Sequence, residues 1–264
     1  ADHFSVVEEI IDLRTSSLKA IAIEKPVTSS LVDAYRLQRL LNEIGLKTLI
    51  GHSEIYNPAV QKLFEILSSQ VIGIPKIFLF QRRSNVPNEK LPFLGDIFED
   101  LAIHDFDLFS RIITKNELQI QCKGFYYDNI LNSAIVQIHA IQNDISALFL
   151  FSRNFTGKIR QIEIEAINGT IFVELLDQYL IYNLRSQIKA SMQSISISSG
   201  EGEKIKVYGE PLLEEHLDFH ALLKEEKVTP LVSIKDAIRA LSIVEACRKS
   251  AELDKSIKLN IESL

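Results

Sequence analysis

Cysteine is scarce in this chain of 264 residues, and long apolar runs are absent. The two cysteines, Cys122 and Cys247, are too few for a disulfide framework and too sparse for a structural zinc site. The longest strongly apolar run, residues 145–151, is far shorter than the roughly 20 residues that a membrane-spanning helix needs. Charged residues near the beginning of the chain interrupt the apolar region that a secretory signal would require. We therefore expect a cytoplasmic protein without a membrane segment.

Positive charge is in the minority. The chain has 29 Lys and Arg residues against 35 Asp and Glu residues, which gives a formal charge of −6 at pH 7. No stretch concentrates Lys and Arg into the basic stripe with which proteins follow a nucleic-acid backbone. Nucleic acid is therefore not an expected partner.

Glycine motifs are missing as well, although the chain has 10 glycines. Gly200 and Gly202 are followed by Glu203, Lys204 and Ile205, so they do not belong to the glycine-rich fingerprint that binds dinucleotides. The sequence also lacks a P-loop, a G-x-S-x-G nucleophile elbow and a paired C-x-x-C. These residues therefore carry no motif for phosphate binding.

The first fifty residues alternate between helix and strand. Apolar residues at helical spacing predict a helix over residues 4–14, followed by a short buried strand over 19–23. A second helix is expected between the capping cluster at 28–30 and Gly45, and residues 47–50 form the next strand. This alternation predicts an α/β unit with parallel strands.

The rest of the chain is predicted to be rich in strands. Helices are expected at 58–67, 98–114, 212–225 and 233–250. Strands are expected at 77–81, 117–127, 134–141, 145–152, 159–166, 171–175 and 179–183, with hairpin turns at Asn168-Gly169 and near 142–144 and a loop at 191–203. The predicted fold class is α/β followed by α+β, with a large, mostly antiparallel open sheet that helices cover on one face.

The segment with the most chemical content is the helix around His104. Asp100, His104, Asp107 and Arg111 fall at i, i+4, i+7 and i+11, so they line one helix face. A carboxylate one turn away can raise the pKa of a histidine, which makes Asp100 and His104 a candidate acid/base pair. The alternative is a solvated face on which Asp107 and Arg111 form an ordinary ion pair. A metal site is a weaker alternative, because a third ligand is not evident.

Two further segments follow predicted strands. Glu24, Lys25 and Pro26 stand at the carboxyl end of the first strand, where ligands gather in open α/β sheets. They could equally form a turn in which the proline ends the strand. After the second strand, Asn57-Pro58 is a good helix start, so capping alone could explain it.

In order and separation, these three segments resemble the motifs of the glucose-fructose oxidoreductase/inositol dehydrogenase family. Its members carry a Glu-Lys-Pro strand end, an Asn-Pro helix start and an Asp-x-x-x-His helix. The resemblance spans essentially the whole chain, from His3 to the closing helices at 219–250. The helix around His104, the Glu-x-x-Asn-Pro form of the second motif and residues 154–178 look most similar to the branch that acts on UDP-N-acetylhexosamines.

The resemblance implies an NAD(P)-dependent dehydrogenase that acts on a sugar or sugar derivative. Residues 1–52 would be the remnant of a Rossmann nucleotide-binding domain. Residues 53–264 would form a substrate-binding domain that also joins subunits. A homodimer or homotetramer through the open sheet face is implied, and the apolar stretch Ala147–Phe151 is expected to offer surface for it.

The resemblance also implies catalytic roles. Oxidation of an alcohol requires the removal of a proton and a hydride. Lys25 would hold the reacting hydroxyl and the nicotinamide end of the cofactor. His104 would take the hydroxyl proton, and Asp100 would orient the site.

Binding roles follow in the same way. Glu24, Lys25 and Pro26 would contact the cofactor, which is NAD or NADP, and Tyr56 and Asn57 would contact the substrate. No metal is implied. We also expect a cis peptide bond between Lys25 and Pro26, since a proline at a strand end beside a ligand is where such a bond could be retained.

Two departures from the family pattern matter. Ile55-Tyr56 replaces an Arg-Phe pair, which removes a cation that could meet an anionic substrate group and argues against diphosphate-linked substrates. Roughly 70 residues with the glycine-rich turn that holds the pyrophosphate are expected ahead of Ala1. We expect a fragment of a longer polypeptide. The alternatives are a non-catalytic, truncated dehydrogenase-like binding or assembly module and, more distantly, a metal-dependent hydrolase.

Overall fold

The computed structural model describes residues 3–13, 18–113, 116–127, 129–185 and 202–261. Its helices are α1 (His3–Asp12), α2 (Leu31–Ile44), α3 (Pro58–Ser69), α4 (Ile103–Ile112), α5 (Pro211–Leu223) and α6 (Ile234–Leu253). Its strands are β1 (Ala20–Glu24), β2 (Lys47–Gly51), β3 (Pro75–Asn85), β4 (Glu117–Tyr127), β5 (Ile130–Ala140), β6 (Ile145–Ser152), β7 (Asn154–Ala166), β8 (Gly169–Glu174), β9 (Tyr179–Leu184), β10 (Glu203–Lys206) and β11 (Ile257–Asn260). Short 3-10 helices lie at Ser53–Tyr56 and Asn88–Phe93, and a π-helical turn lies at Phe98–Ala102.

The first part of the chain folds as the predicted α/β unit. β1 and β2 pair in parallel, so that Glu24 lies beside Gly51 at their carboxyl ends. The Ser30 side chain caps α2 by accepting a hydrogen bond from the backbone N–H of Asp33, and Gly45 ends the helix with a φ of 64°. Glycine suits this position because a residue with a β-carbon rarely adopts that conformation. The helices and strands predicted for this unit are confirmed.

The second sheet has nine strands within the described residues, in the order β10-β9-β8-β7-β3-β6-β5-β4-β11. Neighbouring strands pair antiparallel except β3 and β6, which run parallel. The prediction of a large, mostly antiparallel sheet is therefore confirmed. Sequence periodicity does not reveal the edge strands β10 and β11, because four residues are too few to establish a period. Of the loop predicted at 191–203, residues 191–201 lie outside the described residues, and Glu203 belongs to β10.

The two predicted hairpin turns have different outcomes. β5 and β6 are joined at the predicted place, by residues 141–144. β7 and β8 are joined by Ile167-Asn168, one residue before the predicted position. Gly169 is instead the first residue of β8, where a β-carbon would collide with the backbone carbonyl of Asn183 on the neighbouring strand. The glycine is therefore needed for strand packing rather than for the turn.

The main core lies between the second sheet and helices α4 and α6. Alternate residues of β3 and β6 point toward these helices and place their phenyl rings against those of α4. Six rings form one cluster and are 0–1% exposed: Phe78, Phe80, Phe106, Phe109, Phe149 and Phe151. Phe149 is central, since its ring centroid lies 4.7 Å from that of Phe80 and 5.1 Å from that of Phe106.

The other face of this sheet has no helix over it in the described residues. Strand alternation turns Phe149 and its alternate neighbours into the core, so the prediction that the whole stretch Ala147–Phe151 offers a contact surface is wrong. Leu148 and Leu150 point to the open face. Ile77, on the adjacent strand β3, is 48% exposed there.

Helix α6 begins with the predicted capping box. The Ser233 side chain accepts a hydrogen bond from the backbone N–H of Asp236, and the Asp236 carboxylate accepts one from the backbone N–H of Ser233 at 2.8 Å. Farther along, the Ser250 hydroxyl accepts a hydrogen bond from the backbone N–H of Cys122 at 2.9 Å, which ties the helix to β4. None of the helices in the described ranges combines the length and apolar character of a membrane span.

The aromatic cluster gives a stability prediction. Phe149→Ala removes a ring that packs on four others, and we expect it to lower the free energy of unfolding by about 3–5 kcal/mol. Urea unfolding followed by circular dichroism measures this loss. Phe125→Ala, at a position on β4 that is 49% exposed, is the matched control and should cost less than about 1 kcal/mol. Equal losses in the two variants would contradict the assigned core.

Candidate active site

Lys25 follows β1 at the carboxyl edge of the two-stranded parallel sheet, next to the exposed Glu24. Its peptide bond to Pro26 is cis, as predicted. The ammonium Nζ donates hydrogen bonds to the backbone carbonyls of Asp100 at 3.0 Å and Glu99 at 3.4 Å. Two segments that are far apart in the sequence are thereby joined.

Asp100 lies in the π-helical turn, in which the backbone N–H of Ile103 bonds to the carbonyl of Phe98 five residues earlier. Its carboxylate Oδ2 accepts hydrogen bonds from Arg153, at 2.9 Å from Nη2 and 3.2 Å from Nε. The Arg153 side chain is 0% exposed. The prediction that Asp100 pairs with His104 and raises its pKa is therefore wrong, because the carboxylate is engaged by a guanidinium instead.

His104 lies in the first turn of α4. Its Nδ1 is buried and makes no hydrogen bond to any described residue. Burial holds the pKa of His104 well below the ordinary value of 6.5. The positive charges near the ring lower this pKa further: those of Arg82, Lys25, His52 and Arg160. The ring is therefore neutral at neutral pH, which is the form that can accept a proton.

A buried arginine joins the elements around this site. Arg82 of β3 is 2% exposed. It donates to Asp105 Oδ1 through Nε at 3.1 Å and through Nη2 at 2.7 Å, and to Glu54 Oε1 through Nη1 at 2.9 Å. The same Glu54 oxygen accepts a hydrogen bond from Nη1 of Arg160, on β7, at 2.8 Å.

Sequence reasoning missed this network, although one signal for it was present. Strand alternation places position 82 on the inward face of β3, together with Phe78 and Phe80. A charged side chain at an inward position requires partners, because an unpaired buried charge is costly. The identity of those partners could not be read from the strand itself.

The two carboxylates of the network titrate differently. Burial raises the pKa of Glu54, but Arg82 and Arg160 outweigh burial, so this pKa lies below its usual range. Burial also raises the pKa of Asp105, and there it outweighs the opposing effect of Arg82. The difference follows from the number of guanidiniums, since Glu54 contacts two and Asp105 contacts one.

Farther along α4, Asp107 and Arg111 form the predicted i,i+4 ion pair, with 3.0 Å between Arg111 Nε and Asp107 Oδ1. The alternative of a solvated helix face is wrong, because the Asp107 side chain is only 1% exposed. His52 Nδ1 lies 3.3 Å from Asp107 Oδ2. Burial raises the pKa of Asp107, but His52 and Arg111 outweigh it and lower this pKa. The polar face of α4 that follows His104 is therefore turned toward the interior, where Asp107 and Arg111 are paired.

Asn57 has a structural role in this fold. Its side-chain oxygen accepts a hydrogen bond from the backbone N–H of Ala59 at 3.0 Å and so caps α3. Its Nδ2 donates to the carbonyl of Leu175, also at 3.0 Å. The side chain is 3% exposed. Capping, the alternative raised by the Asn-Pro sequence, accounts for this residue.

Tyr56 faces a different part of the molecule. Its hydroxyl donates a hydrogen bond to Asp218 Oδ2 at 2.8 Å, which joins the 3-10 helix to α5. Both side chains line a cavity of about 890 Å³ whose described lining contains neither Lys25 nor His104. The structure thus does not bring the two predicted substrate residues, Tyr56 and Asn57, into contact with the predicted catalytic residues.

Lys25, Asp100 and His104 therefore converge, with Glu24 and Pro26 at the same strand end. The ion pairs of Arg82 with Glu54 and Asp105 hold the neighbouring elements in place. In the described part of the chain, no three His, Cys, Asp or Glu side chains are arranged to hold a metal ion. The Lys25 ammonium group is bonded to a carbonyl one turn before the neutral imidazole of His104. An ammonium group can hold a hydroxyl group, and a neutral imidazole can deprotonate one.

Comparisons of the sequence identify similar proteins. No protein-family model matches the chain. Myo-inositol 2-dehydrogenase from Thermotoga maritima is 22% identical over 268 aligned residues, which cover 95% of this chain and 76% of that protein. The scyllo-inositol 2-dehydrogenase (NAD(+)) of Bacillus subtilis is also 22% identical, covering 92% of this chain and 72% of that one. The chain thus spans about three quarters of these relatives.

Comparisons of structure give the same result. UDP-N-acetylglucosamine 3-dehydrogenase GnnA from Acidithiobacillus ferrooxidans superposes with a TM-score of 0.79 at 20% identity, over 95% of this chain and 75% of that one. An oxidoreductase from Agrobacterium radiobacter, in complex with NAD+, L-tartaric acid and magnesium, gives 0.76 at 19% identity over 99% and 77%. These proteins share the fold of this chain. The sequence relatives and the similar structures agree with the resemblance of its motifs to the glucose-fructose oxidoreductase/inositol dehydrogenase family.

Proposed function

We propose that this chain carries the catalytic residues of an NAD(P)-dependent dehydrogenase that oxidises a hydroxyl-bearing carbon of a sugar or sugar derivative. The observation that carries the proposal is the hydrogen bond from Lys25 to the Asp100 carbonyl, one turn before the neutral His104. The inositol dehydrogenases among the relatives support this reaction class. We place the protein in the cytoplasm, since both of its cysteines are free thiols.

His104 and Lys25 would divide the work on the hydroxyl group. Removal of the hydroxyl proton requires a base, and His104 offers its Nε2 because Nδ1 is buried. Lys25 uses two of its three N–H donors on backbone carbonyls, which leaves one for the substrate oxygen. Its positive charge stabilises the negative charge that develops on that oxygen as the proton leaves.

Asp100 would act as a positioning residue. Its carbonyl holds the Lys25 ammonium, while its carboxylate is fixed by the buried Arg153. The charge pair with Arg153 locks the π-helical turn that presents this carbonyl. Because the carboxylate is satisfied elsewhere, the ammonium and the imidazole remain available for the substrate.

The strand ends fit the nicotinamide end of NAD or NADP. In parallel sheets, ligands bind at the carboxyl edge, which here is formed by Glu24 and Gly51. A β-carbon at Gly51 would lie 3.0 Å from Glu24 Oε2, so a larger residue there would have to displace the Glu24 side chain. Glu24, Lys25 and Pro26 would contact the cofactor, which supplies the hydride acceptor when bound.

Replacement of the proposed catalytic base, His104, tests the proposal in the gene product that carries this chain. We expect His104→Gln to lower kcat for NAD(P)+ reduction by about 10²- to 10⁴-fold, because the proton loses its acceptor. The Kd for NAD(P)H, measured by fluorescence titration, should not change. His220→Gln, at an exposed position of α5, is the control and should retain full activity. A fully active His104→Gln enzyme would exclude this base.

The pH dependence of activity provides a second prediction. A histidine with its ordinary pKa is half protonated near pH 6.5, and the protonated ring cannot accept a proton. Because the pKa of His104 lies well below that value, kcat/KM should stay level as the pH falls from about 8 through 6.5 and decline only at lower pH. A profile with an acidic limb at or above pH 6.5 would contradict the assignment.

Folding stability should also depend on pH through His104. Below about pH 6.5 the unfolded chain binds a proton at His104 that the folded ring does not, so folding stability is lost as the pH falls. The loss from this residue is limited to about 1.4 kcal/mol per pH unit. His104→Gln should reduce the slope of unfolding free energy against pH in urea titrations.

We further propose that residues 1–52 form the C-terminal half of a Rossmann nucleotide-binding domain and that residues 53–264 bind substrate and join copies of the chain. The open face of the second sheet would make a homodimer or homotetramer. Ile77 and Ile135 are 48% and 38% exposed on this face, next to Leu148. Exposed aliphatic side chains on a sheet face that no described helix covers are typical of a contact surface.

Charges introduced on this face should separate the subunits. The double variant Ile77→Lys, Leu148→Lys places two ammonium groups in the proposed contact, and we expect it to sediment as a monomer with an unchanged circular dichroism spectrum. Leu213→Lys, at an exposed position of α5, is the control and should sediment like the wild type. A wild-type protein that is monomeric at micromolar concentration would contradict the proposed contact.

A further inference from the structure

Two arginines stand directly opposite each other beside the proposed catalytic residues. Arg82 of β3 and Arg160 of β7 are partners in the antiparallel register, so both side chains project from the same face of the sheet. Like charges in directly opposite positions are destabilising. Glu54 offsets part of the repulsion, because its Oε1 accepts a hydrogen bond from each guanidinium, at 2.9 Å and 2.8 Å. One arginine is enough to form an ion pair with Glu54, so pairing with Glu54 does not explain the second arginine.

The two guanidiniums differ in which of their N–H donors remain without a hydrogen bond to a described residue. Arg82 is buried and uses Nε, Nη1 and Nη2 on two carboxylates. The Arg160 side chain is 33% exposed and uses Nη1 alone. Its Nε and Nη2 make no hydrogen bond to any residue that the structure describes. This unoccupied edge presents two parallel N–H donors, the arrangement that matches the two oxygens of a carboxylate.

Arg160 also lies at the reacting end of the site. It shares Glu54 Oε1 with Arg82, and Arg82 binds Asp105, the residue that follows His104 in α4. Burial is the main reason that the pKa values of His104 and Lys25 are low, and the charge of Arg160 lowers both further. The carboxylates of Glu54 and Asp105 are already engaged by Arg82. A positive edge beside the catalytic pair therefore has no anionic partner among the described residues.

We propose that Arg160 binds a carboxylate of the substrate through Nε and Nη2, so that the substrate is a sugar acid rather than a neutral sugar. This inference rests on the proposed function, since it assigns the substrate class of the same site. It also supplies a cation that the Ile55-Tyr56 segment lacks, from a strand about a hundred residues later in the chain. A guanidinium in this position discriminates through the carboxylate, because a neutral hydroxymethyl group cannot form the paired, charge-assisted hydrogen bonds with Nε and Nη2.

Paired substrates test the inference. The pairs D-glucuronate/D-glucose, D-galacturonate/D-galactose and D-gluconate/D-glucitol differ only in a carboxylate against a neutral group. In the gene product that carries this chain, kcat/KM for NAD(P)+ reduction should favour the acid in at least one pair. Arg160→Gln should lower kcat/KM for that acid by about 10- to 100-fold, mainly through KM, and should lower kcat/KM for the neutral partner by a much smaller factor. Arg160→Lys should fall between the two, since it keeps the charge but loses the paired donors.

Controls separate this inference from the proposed function. Arg36→Gln makes the same change at an exposed position of α2, where the ion pair that the structure describes is with Asp33, and it should behave as the wild type. A wild type that oxidises only neutral sugars, unaffected by Arg160→Gln, would overturn the inference and leave the dehydrogenase intact. A rise in KM for NAD(P)+ in Arg160→Gln, with no effect on the acid, would assign the guanidinium to a cofactor phosphate and also overturn it.

Equilibrium binding decides the case without turnover. Isothermal titration of each acid and its neutral partner into the wild type and Arg160→Gln measures the same preference even if no sugar in the panel is oxidised. Tighter binding of an acid that Arg160→Gln abolishes would support the inference while the proposed function fails for this panel. Equal binding of every acid and its partner to the wild type would overturn the inference.

Discussion

The arrangement of this site depends on the hydrogen-bonded ion pairs that the buried guanidinium of Arg82 forms. It joins three parts of the chain: β3, which carries it, the 3-10 helix after β2, which provides Glu54, and α4, which provides Asp105. Burial of a charge costs several kcal/mol unless it is paired and hydrogen-bonded, so the three segments are held in one relative position. That position places the start of α4 against the end of β1, where Lys25 meets the Asp100 carbonyl.

The same charges set the chemistry. His104 is surrounded by positive groups, while the carboxylates nearby are engaged by arginines: Asp100 by Arg153, and Glu54 and Asp105 by Arg82. A histidine next to a free carboxylate would be protonated more easily, whereas here burial and the cations keep the ring neutral. A base that is neutral and a cation that holds the substrate oxygen can therefore coexist within one small region.

The second sheet assigns different tasks to its two faces. Its inward positions carry the aromatic cluster and, on β3 and β7, the paired arginines of the site. Its open face carries aliphatic side chains that the described helices leave uncovered. Because successive residues of a strand point to opposite faces, one strand can contribute both to the site and to a contact surface.

The sequence by itself determined most of the secondary structure and the location of the Lys25 and His104 segments. Caps at Ser30, Gly45 and Ser233 and apolar periodicity are local signals, and the elements they predict were found. The Glu-Lys-Pro and Asp-x-x-x-His segments likewise indicate Lys25 and His104 as candidate catalytic residues. Only the tertiary structure decided which groups meet. Arg153 rather than His104 binds Asp100, Arg82 and Arg160 share Glu54, and Asn57 serves as a cap. These contacts join residues far apart in the chain, and burial, which depends on the whole fold, sets the protonation of His104; neither can be read from a local pattern.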